Sequence, residues 1–255
     1  MRVVGVIPAR MASTRLPGKP LADLLGRPML EHVYRRSIAC PDLDEVVIAT
    51  CDEEIVTAAE RFGARAVMTS DRHERASERM AEVAGSIDAD VYVLIQGDEP
   101  LILPGMISAA LAPLREDPTV GCVNLAAPIR SVEELEDPNT IKVVVGRSGD
   151  ALFMTRQAIP TRTGRTGPTD GAVIGMKQVC VIPFRADVLE RYASLEPTPL
   201  ERAESIDMLR LLEHGLPVRM VPTNVATHAV DTEADRVHVE DLLRADPFTG
   251  TYLDA

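Results

Sequence analysis

Short runs of apolar, β-branched residues alternate with amphipathic stretches through the first hundred positions of this chain, and that alternation narrows the fold more than any other feature. Residues 3–7 (VVGVI) read as a buried strand. In residues 29–39 the apolar Met29, Leu30, Val33, Tyr34 and Ile38 recur at helical spacing, and residues 45–50 (EVVIAT) read as the next buried strand. The pattern continues with a helix over 53–62 closed by Gly63, a strand over 66–68, a helix around 77–85 and a strand over 91–95. Strand, helix and strand in this order predict parallel pairing with right-handed crossovers, and so an α/β sheet with helices on its faces.

Ligands of open α/β sheets bind beyond the carboxyl ends of the strands. Two conspicuous motifs stand there. The loop over 8–20 carries Arg10, Ser13, Arg15, Gly18 and Lys19 within ten residues, a density of cations, hydroxyls and glycine suited to a polyphosphate. It is not a Walker A loop, because Lys19 is followed by Pro20. After the strand over 91–95 comes Gln96-Gly97-Asp98-Glu99-Pro100, which puts Asp98 at a strand end, where a carboxylate can hold Mg²⁺ against substrate phosphates. Asp231, after another plausible strand, is a second such carboxylate; as an N-cap of the helix over 233–243 it would have a purely structural role.

The formal net charge of −12 argues against nonspecific nucleic-acid binding. The first ten residues lack the length and cleavage pattern of a signal peptide, and no run approaches the 18 to 20 apolar residues of a membrane span, so a cytoplasmic protein is expected. Cys40, Cys51, Cys122 and Cys180 have no metal-site spacing and read as buried free thiols. His32 reads as a packed or surface histidine and Arg35-Arg36 as a solvated helix face; Met80, Met106, Met154 and Met176 read as core or gap-filling residues. Further along, residues 124–147 read as strand, helical turn and strand, residues 161–171 as a mobile loop, and residues 186–193 and 200–214 as helices, the second ended by Gly215. No linker separates independent domains, so residues 1–255 are expected to form one.

The motifs IPAR-x-x-STRLPGKPL, AT-C-D-E, MTS-x-x-H, QGDEPLI, IKVVV, PLE-x-x-E, LRLLEHG and VDT, spread over about residues 3–243, resemble those of the 3-deoxy-manno-octulosonate (KDO) cytidylyltransferases, or CMP-KDO synthetases. The resemblance implies a nucleotide-diphospho-sugar transferase fold: a GT-A/Rossmann-like mixed sheet flanked by helices, with a small dimerisation subregion and a homodimer. CTP binding would fall mainly in residues 1–125 and acceptor binding and pairing mainly in 126–243. It further implies that Arg10, Ser13, Arg15 and Lys19 bind the CTP phosphates, that Ser77, Arg79 and Gln96 complete the CTP site, and that Asp98 and Asp231 hold Mg²⁺. Lys19, Arg10 and Asp98 would serve catalysis as an acceptor oxygen attacks the α-phosphorus and pyrophosphate leaves.

The chain departs from the family pattern on the acceptor side. H-x-S-G-T-[DE]-R is here His73-Glu74-Arg75-Ala76-Ser77-Glu78-Arg79, R-H-[IL]-G-[IV]-Y is Lys177-Gln178-Val179-Cys180-Val181-Ile182, and E-Q-L-R is Asp207-Met208-Leu209-Arg210. Lost polar partners and the added charges of Arg75 and Lys177 suit a smaller, more anionic acceptor, so a phosphonate such as phosphonoformate, in phosphonate natural-product biosynthesis, is expected ahead of KDO. Arg75, Arg156, Lys177, Gln178 and Asp207 are the expected acceptor-binding residues. The competing readings are a non-catalytic nucleotide-binding homologue and a transferase for another base.

Overall fold

β1 (Val3–Pro8) is buried along its whole length except for Pro8, so its apolar run is covered on both faces, as a central parallel strand requires. The computed structural model describes residues 1–13, 15–160, 173–225 and 227–253. The chain divides into two compact units, residues 1–108 with 227–255, and residues 109–226. Residues 227–255 thus rejoin the first unit.

In the first unit β1 leads through a loop and a 3-10 turn (Lys19–Leu21) to a small hairpin of β2 (Asp23–Leu24) and β3 (Arg27–Pro28). The hairpin's two central residues, Leu25 and Gly26, both have positive φ (53° and 80°), the combination a two-residue turn of matching twist needs. Then come α1 (Met29–Ile38), β4 (Glu45–Thr50), α2 (Glu53–Arg61), β5 (Arg65–Met68), α3 (Ala76–Ala84) and β6 (Val91–Ile95). The strands stand in the order β6-β1-β4-β5 with every pairing parallel, as the alternation predicts.

α4 (Pro104–Glu116) carries the chain into the second unit. There follow β7 (Val123–Ile129), α5 (Val132–Glu136), β8 (Lys142–Val145), β9 (Ala151–Thr155), β10 (Gly175–Val179), β11 (Val181–Arg185), α6 (Ala186–Ser194), α7 (Pro199–Glu204), α8 (Met208–Glu213) and β12 (Arg219–Pro222). Its sheet runs β12-β7-β10-β8-β9 and is mixed: β12 is parallel to β7 and the other pairs are antiparallel. The expected single helix over 200–214 is two helices. Ser205 adopts a left-handed conformation (φ 54°) between them, and its neighbour Ile206 is buried instead of continuing the first helix. Across the break, Arg210 and Glu201, both almost wholly buried, form a 2.7 Å ion pair, with the guanidinium stacked on Tyr192.

α9 (Glu233–Ala245) and α10 (Pro247–Leu253) return to the first unit. There Val230, Val239 and Leu243 join Leu24, Met29 and Leu101 in one apolar cluster, with Leu16 packed against it. Two expectations are corrected by burial. Arg36 is completely buried, not solvated, because Asp246, Thr249 and Tyr252 of the C-terminal segment receive its donors. The four cysteines form no disulfide, but only Cys40 and Cys122 are buried; Cys51 and Cys180 are half-buried. Met80, Met106 and Met154 are core residues, whereas Met176 is half-buried. His32 is packed, with no exposed surface. The expected loop over 161–171 lies outside the described residues. No helix among the described residues is long and apolar enough to cross a membrane.

Candidate active site

The loop after β1 is shaped by its own sequence. Gly18 takes a left-handed conformation (φ 69°) that a side chain would resist, and Pro20 is the second residue of the 3-10 turn, where its missing N–H costs nothing. Leu21 N donates to Gly18 O and Ala22 N to Lys19 O, so the turn presents Lys19 rigidly. Upstream, Met11 N donates to Asp52 Oδ2 at 2.8 Å. Asp52 follows the carboxyl end of β4 and anchors the loop at its start; the rule that sites gather at strand ends would have singled it out, but the sequence reading did not.

The carboxyl end of β6 supplies the second side. A Cβ on Gly97 would lie 2.9 Å from the carbonyl oxygen of Pro8, so only glycine lets the ends of β6 and β1 come this close. Asp98 follows directly, and its carbonyl accepts a 2.9 Å bond from Val230 N. That backbone bond brings Asp231 beside Asp98. The N-cap of α9 is Thr232, whose hydroxyl accepts from Asp235 N while Asp235 accepts from Thr232 N, and the Asp231 carboxylate is thereby left to face the site.

Both carboxylates converge on one ammonium. Lys19 Nζ donates to Asp98 Oδ2 at 2.6 Å and to Asp231 Oδ1 at 2.9 Å, and Arg15 Nη2 pairs with the same Asp231 oxygen at 3.0 Å. Burial works to lower the Lys19 pKa, but the charge of Asp98, the hydrogen bonds to Asp98 and Asp231, and the charge of Asp231 outweigh it, so the value is raised and the ammonium stays charged.

These groups line a cavity of about 410 Å³ within the first unit. Arg10, Ser13, Arg15, Lys19, Gln96, Asp98 and Asp231 all face it, as do Arg75 and Arg79. Among the described residues five cations (Arg10, Arg15, Lys19, Arg75, Arg79) meet three carboxylates (Glu74, Asp98, Asp231), so these give the cavity an excess of two positive charges in a chain whose net charge is −12. Such a local excess draws an anion and fixes where it rests. Arg79, 4% exposed, is braced by Thr69 Oγ1 and by Cys51 Sγ at 3.7 Å. Ser77 is fully buried in the first turn of α3 and does not line the cavity. Met29 and His73 line it without having been singled out from the sequence.

The remaining expected acceptor residues belong to the second unit. Lys177 Nζ is held by Glu134 Oε1 at 2.5 Å, and Gln178 donates to Asn124 Oδ1. The Arg156 guanidinium is spent on three backbone carbonyls, Glu204 O at 2.7 Å, Pro138 O at 3.0 Å and Ser205 O at 3.3 Å. Asp207 stands at the N-cap of α8, and Met208, in the place of a family amide, is completely buried.

A strand-end cavity with a cationic loop and two carboxylates sharing a lysine is the arrangement of a nucleotidyltransferase, and solved nucleotidyltransferases have this fold. A 4-diphosphocytidyl-2C-methyl-D-erythritol synthase from Anaerococcus prevotii superposes with a TM-score of 0.64 at 14% identity, over 95% of this chain and 99% of that one. The cytidylyltransferase family profile matches residues 4–220. The 3-deoxy-manno-octulosonate cytidylyltransferase of Geobacter metallireducens is 42% identical over 241 residues, 92% of this chain and 95% of the relative. That of Nitratidesulfovibrio vulgaris is 43% identical over 94% of this chain and 95% of the relative. A solved CMP:2-keto-3-deoxy-manno-octonic acid synthetase complexed with CTP is 38% identical, with a TM-score of 0.88 over 96% of this chain and 99% of that one. The chain belongs to the CMP-KDO synthetase family of cytidylyltransferases.

Proposed function

We propose that this chain transfers CMP from CTP to KDO and releases pyrophosphate. The observation that carries the reading is the convergence of Asp98 and Asp231 on Lys19 inside a cation-lined cavity. Arg10, Arg15 and Lys19 hold the triphosphate, with Ser13 at the same loop; Arg79 and Gln96 line the rest of the CTP site. As the acceptor oxygen attacks the α-phosphorus, negative charge gathers on the departing pyrophosphate. The Lys19 ammonium, already fixed by two carboxylates, offsets that charge without reorganising. No covalent intermediate with the protein is needed.

Asp98 and Asp231 fit a magnesium ion, which they would hold through carboxylate oxygens other than the two that meet Lys19, because Mg²⁺ is commonly held by one or two carboxylates with substrate phosphates and water. When bound, the ion supplies charge neutralisation at the phosphates.

The expectation of a phosphonate acceptor gives way to KDO. It rested on added cations and lost polar partners in the acceptor half. Lys177 is neutralised by Glu134, and Met208 is a core residue that presents nothing to a ligand. Neither marks a pocket rebuilt for a smaller anion, and relatives above 40% identity across the chain carry the KDO name. A homodimer belongs to the same reading. Leu152, 65% exposed on the edge strand β9, is an apolar residue that a second copy would cover, and sedimentation as a monomer at micromolar concentration would speak against it.

Pyrophosphate release from CTP and Mg²⁺, run with KDO and phosphonoformate in parallel, tests the acceptor. The reading predicts turnover with KDO. Turnover confined to phosphonoformate would refute it.

A further inference from the structure

The cation that the chemistry needs, Lys19, and the carboxylate that meets it, Asp231, come from opposite ends of the chain, and a buried polar relay joins the two segments away from the cavity. His32 of α1 is completely buried. Its Nε2 lies 2.8 Å from Leu24 O, five residues after Lys19, and its Nδ1 lies 2.8 Å from the Tyr252 hydroxyl of α10. Arg36, one turn further along α1 and also completely buried, donates Nε to that same hydroxyl at 3.1 Å. Its Nη2 donates to Asp246 Oδ2 at 2.5 Å and to Thr249 Oγ1 at 2.7 Å.

The direction of every bond follows from what each atom can do. A carbonyl only accepts, so His32 Nε2 carries the proton; Nδ1 is then bare and accepts from Tyr252, whose oxygen accepts from Arg36. Burial lowers the His32 pKa and keeps the imidazole neutral, as this chain of bonds requires. Two outer bonds repeat the connection, Arg236 Nη1 to Asp23 O at 3.0 Å and Arg27 Nη2 to Leu253 O at 3.0 Å. Joining these segments by apolar packing alone would avoid burying an imidazole and a guanidinium. What the polar relay adds is direction, because it registers Leu24 O against Tyr252 to within a hydrogen-bond length.

We propose that His32 and Tyr252, braced by Arg36, are positioning residues that set where the Lys19 segment meets the Asp231 segment. This rests on the CMP-transfer reading for its consequence in catalysis but not for its consequence in the structure.

The test compares Tyr252→Phe, His32→Leu and His32→Gln with wild type. Gln keeps an N–H near the Nε2 position and so retains the bond to Leu24 O. We expect amide exchange at Lys19, Leu21 and Ala22 to quicken about tenfold in Tyr252→Phe and His32→Leu. In the same two variants kcat should fall about tenfold, with KM for CTP changed less than threefold. His32→Gln, which keeps the bond to Leu24 O and not the one made by Nδ1, should fall between wild type and His32→Leu in both readouts. The proposal is overturned if the variants only lower the melting temperature while local exchange and kcat stay at wild-type values. If His32→Leu does not fold, Tyr252→Phe, which keeps the ring, decides alone. If wild type does not turn over KDO, the functional reading fails, and the exchange comparison still decides the positioning claim.

Discussion

The Lys19 ammonium lies 2.9 Å from a carboxylate oxygen of Asp231, 212 positions further along the chain. Its other carboxylate partner, Asp98, lies at 2.6 Å, and among the described residues no other lysine lines the cavity. Replacing Lys19 with Met would remove the charge that offsets the leaving pyrophosphate and leave two carboxylates facing each other. The kcat/KM for pyrophosphate release should fall by about 10² to 10³. Asp231→Asn should lose comparable activity and also require more Mg²⁺ for half-maximal rate, which a magnesium titration measures. A Lys19→Met variant within threefold of wild type would remove Lys19 from the chemistry.

Gly97 should tolerate no side chain. A methyl there meets Pro8 O at 2.9 Å, and backbone on both sides must move to relieve it. Asp98 is the next residue, so the movement falls on the carboxylate that holds Lys19. Gly97→Ala should lose tenfold to a hundredfold in kcat/KM while circular dichroism stays native. Gly26, where no atom lies within 4 Å of an added Cβ, is the control for space, although its φ of 80° still strains any substitution.

His32 should make the protein weaker in acid. Burial, the largest cause, depresses its pKa below the ordinary value of 6.5, with the Arg36 charge acting in the same direction. Below that value the unfolded chain takes up a proton that the folded protein refuses. Stability tied to His32 is therefore present above about 6.5 and lost as the pH falls towards the depressed value. Urea unfolding at pH 7.5 and pH 5 should give wild type a steeper loss than His32→Gln; equal losses would contradict the assignment.

The Glu201–Arg210 pair in the second unit should reveal the cost of a stranded charge. Both side chains are nearly inaccessible, 1% and 3% exposed, and two bonds join them. Arg210→Met leaves the Glu201 carboxylate buried without its partner and should cost about 3 to 5 kcal/mol in urea unfolding. Replacing both residues with apolar ones of similar size should recover most of that loss.

Much of the first unit was legible because β1, β4 and β6 are buried along nearly their whole length. Residues 3–7, 46–49 and 91–95 are apolar runs, and the loops that follow β1 and β6 carry Arg10, Lys19 and Asp98. The meeting of Asp231 with Lys19 was not legible, since it depends on one backbone bond from Val230 to Asp98 and on Thr232 taking the capping role. Helical periodicity over 200–214 concealed a break at Ser205, where a left-handed residue and a buried Ile206 override local preference. Arg36 looked like a solvated cation because its partners, Asp246, Thr249 and Tyr252, lie more than 200 positions away. Lys177 was hidden for a related reason. Lys177 counts as a free positive charge in a sequence, and only the fold sets Glu134 at 2.5 Å from it.

The most direct test of the account is ³¹P spectroscopy of CTP, Mg²⁺ and KDO incubated with the wild-type protein and, in parallel, with Lys19→Met. The account predicts that wild type converts the CTP resonances into those of pyrophosphate and a CMP phosphodiester, and that Lys19→Met does so at least a hundredfold more slowly. CTP left intact beside KDO, but consumed when phosphonoformate replaces it, would contradict the account.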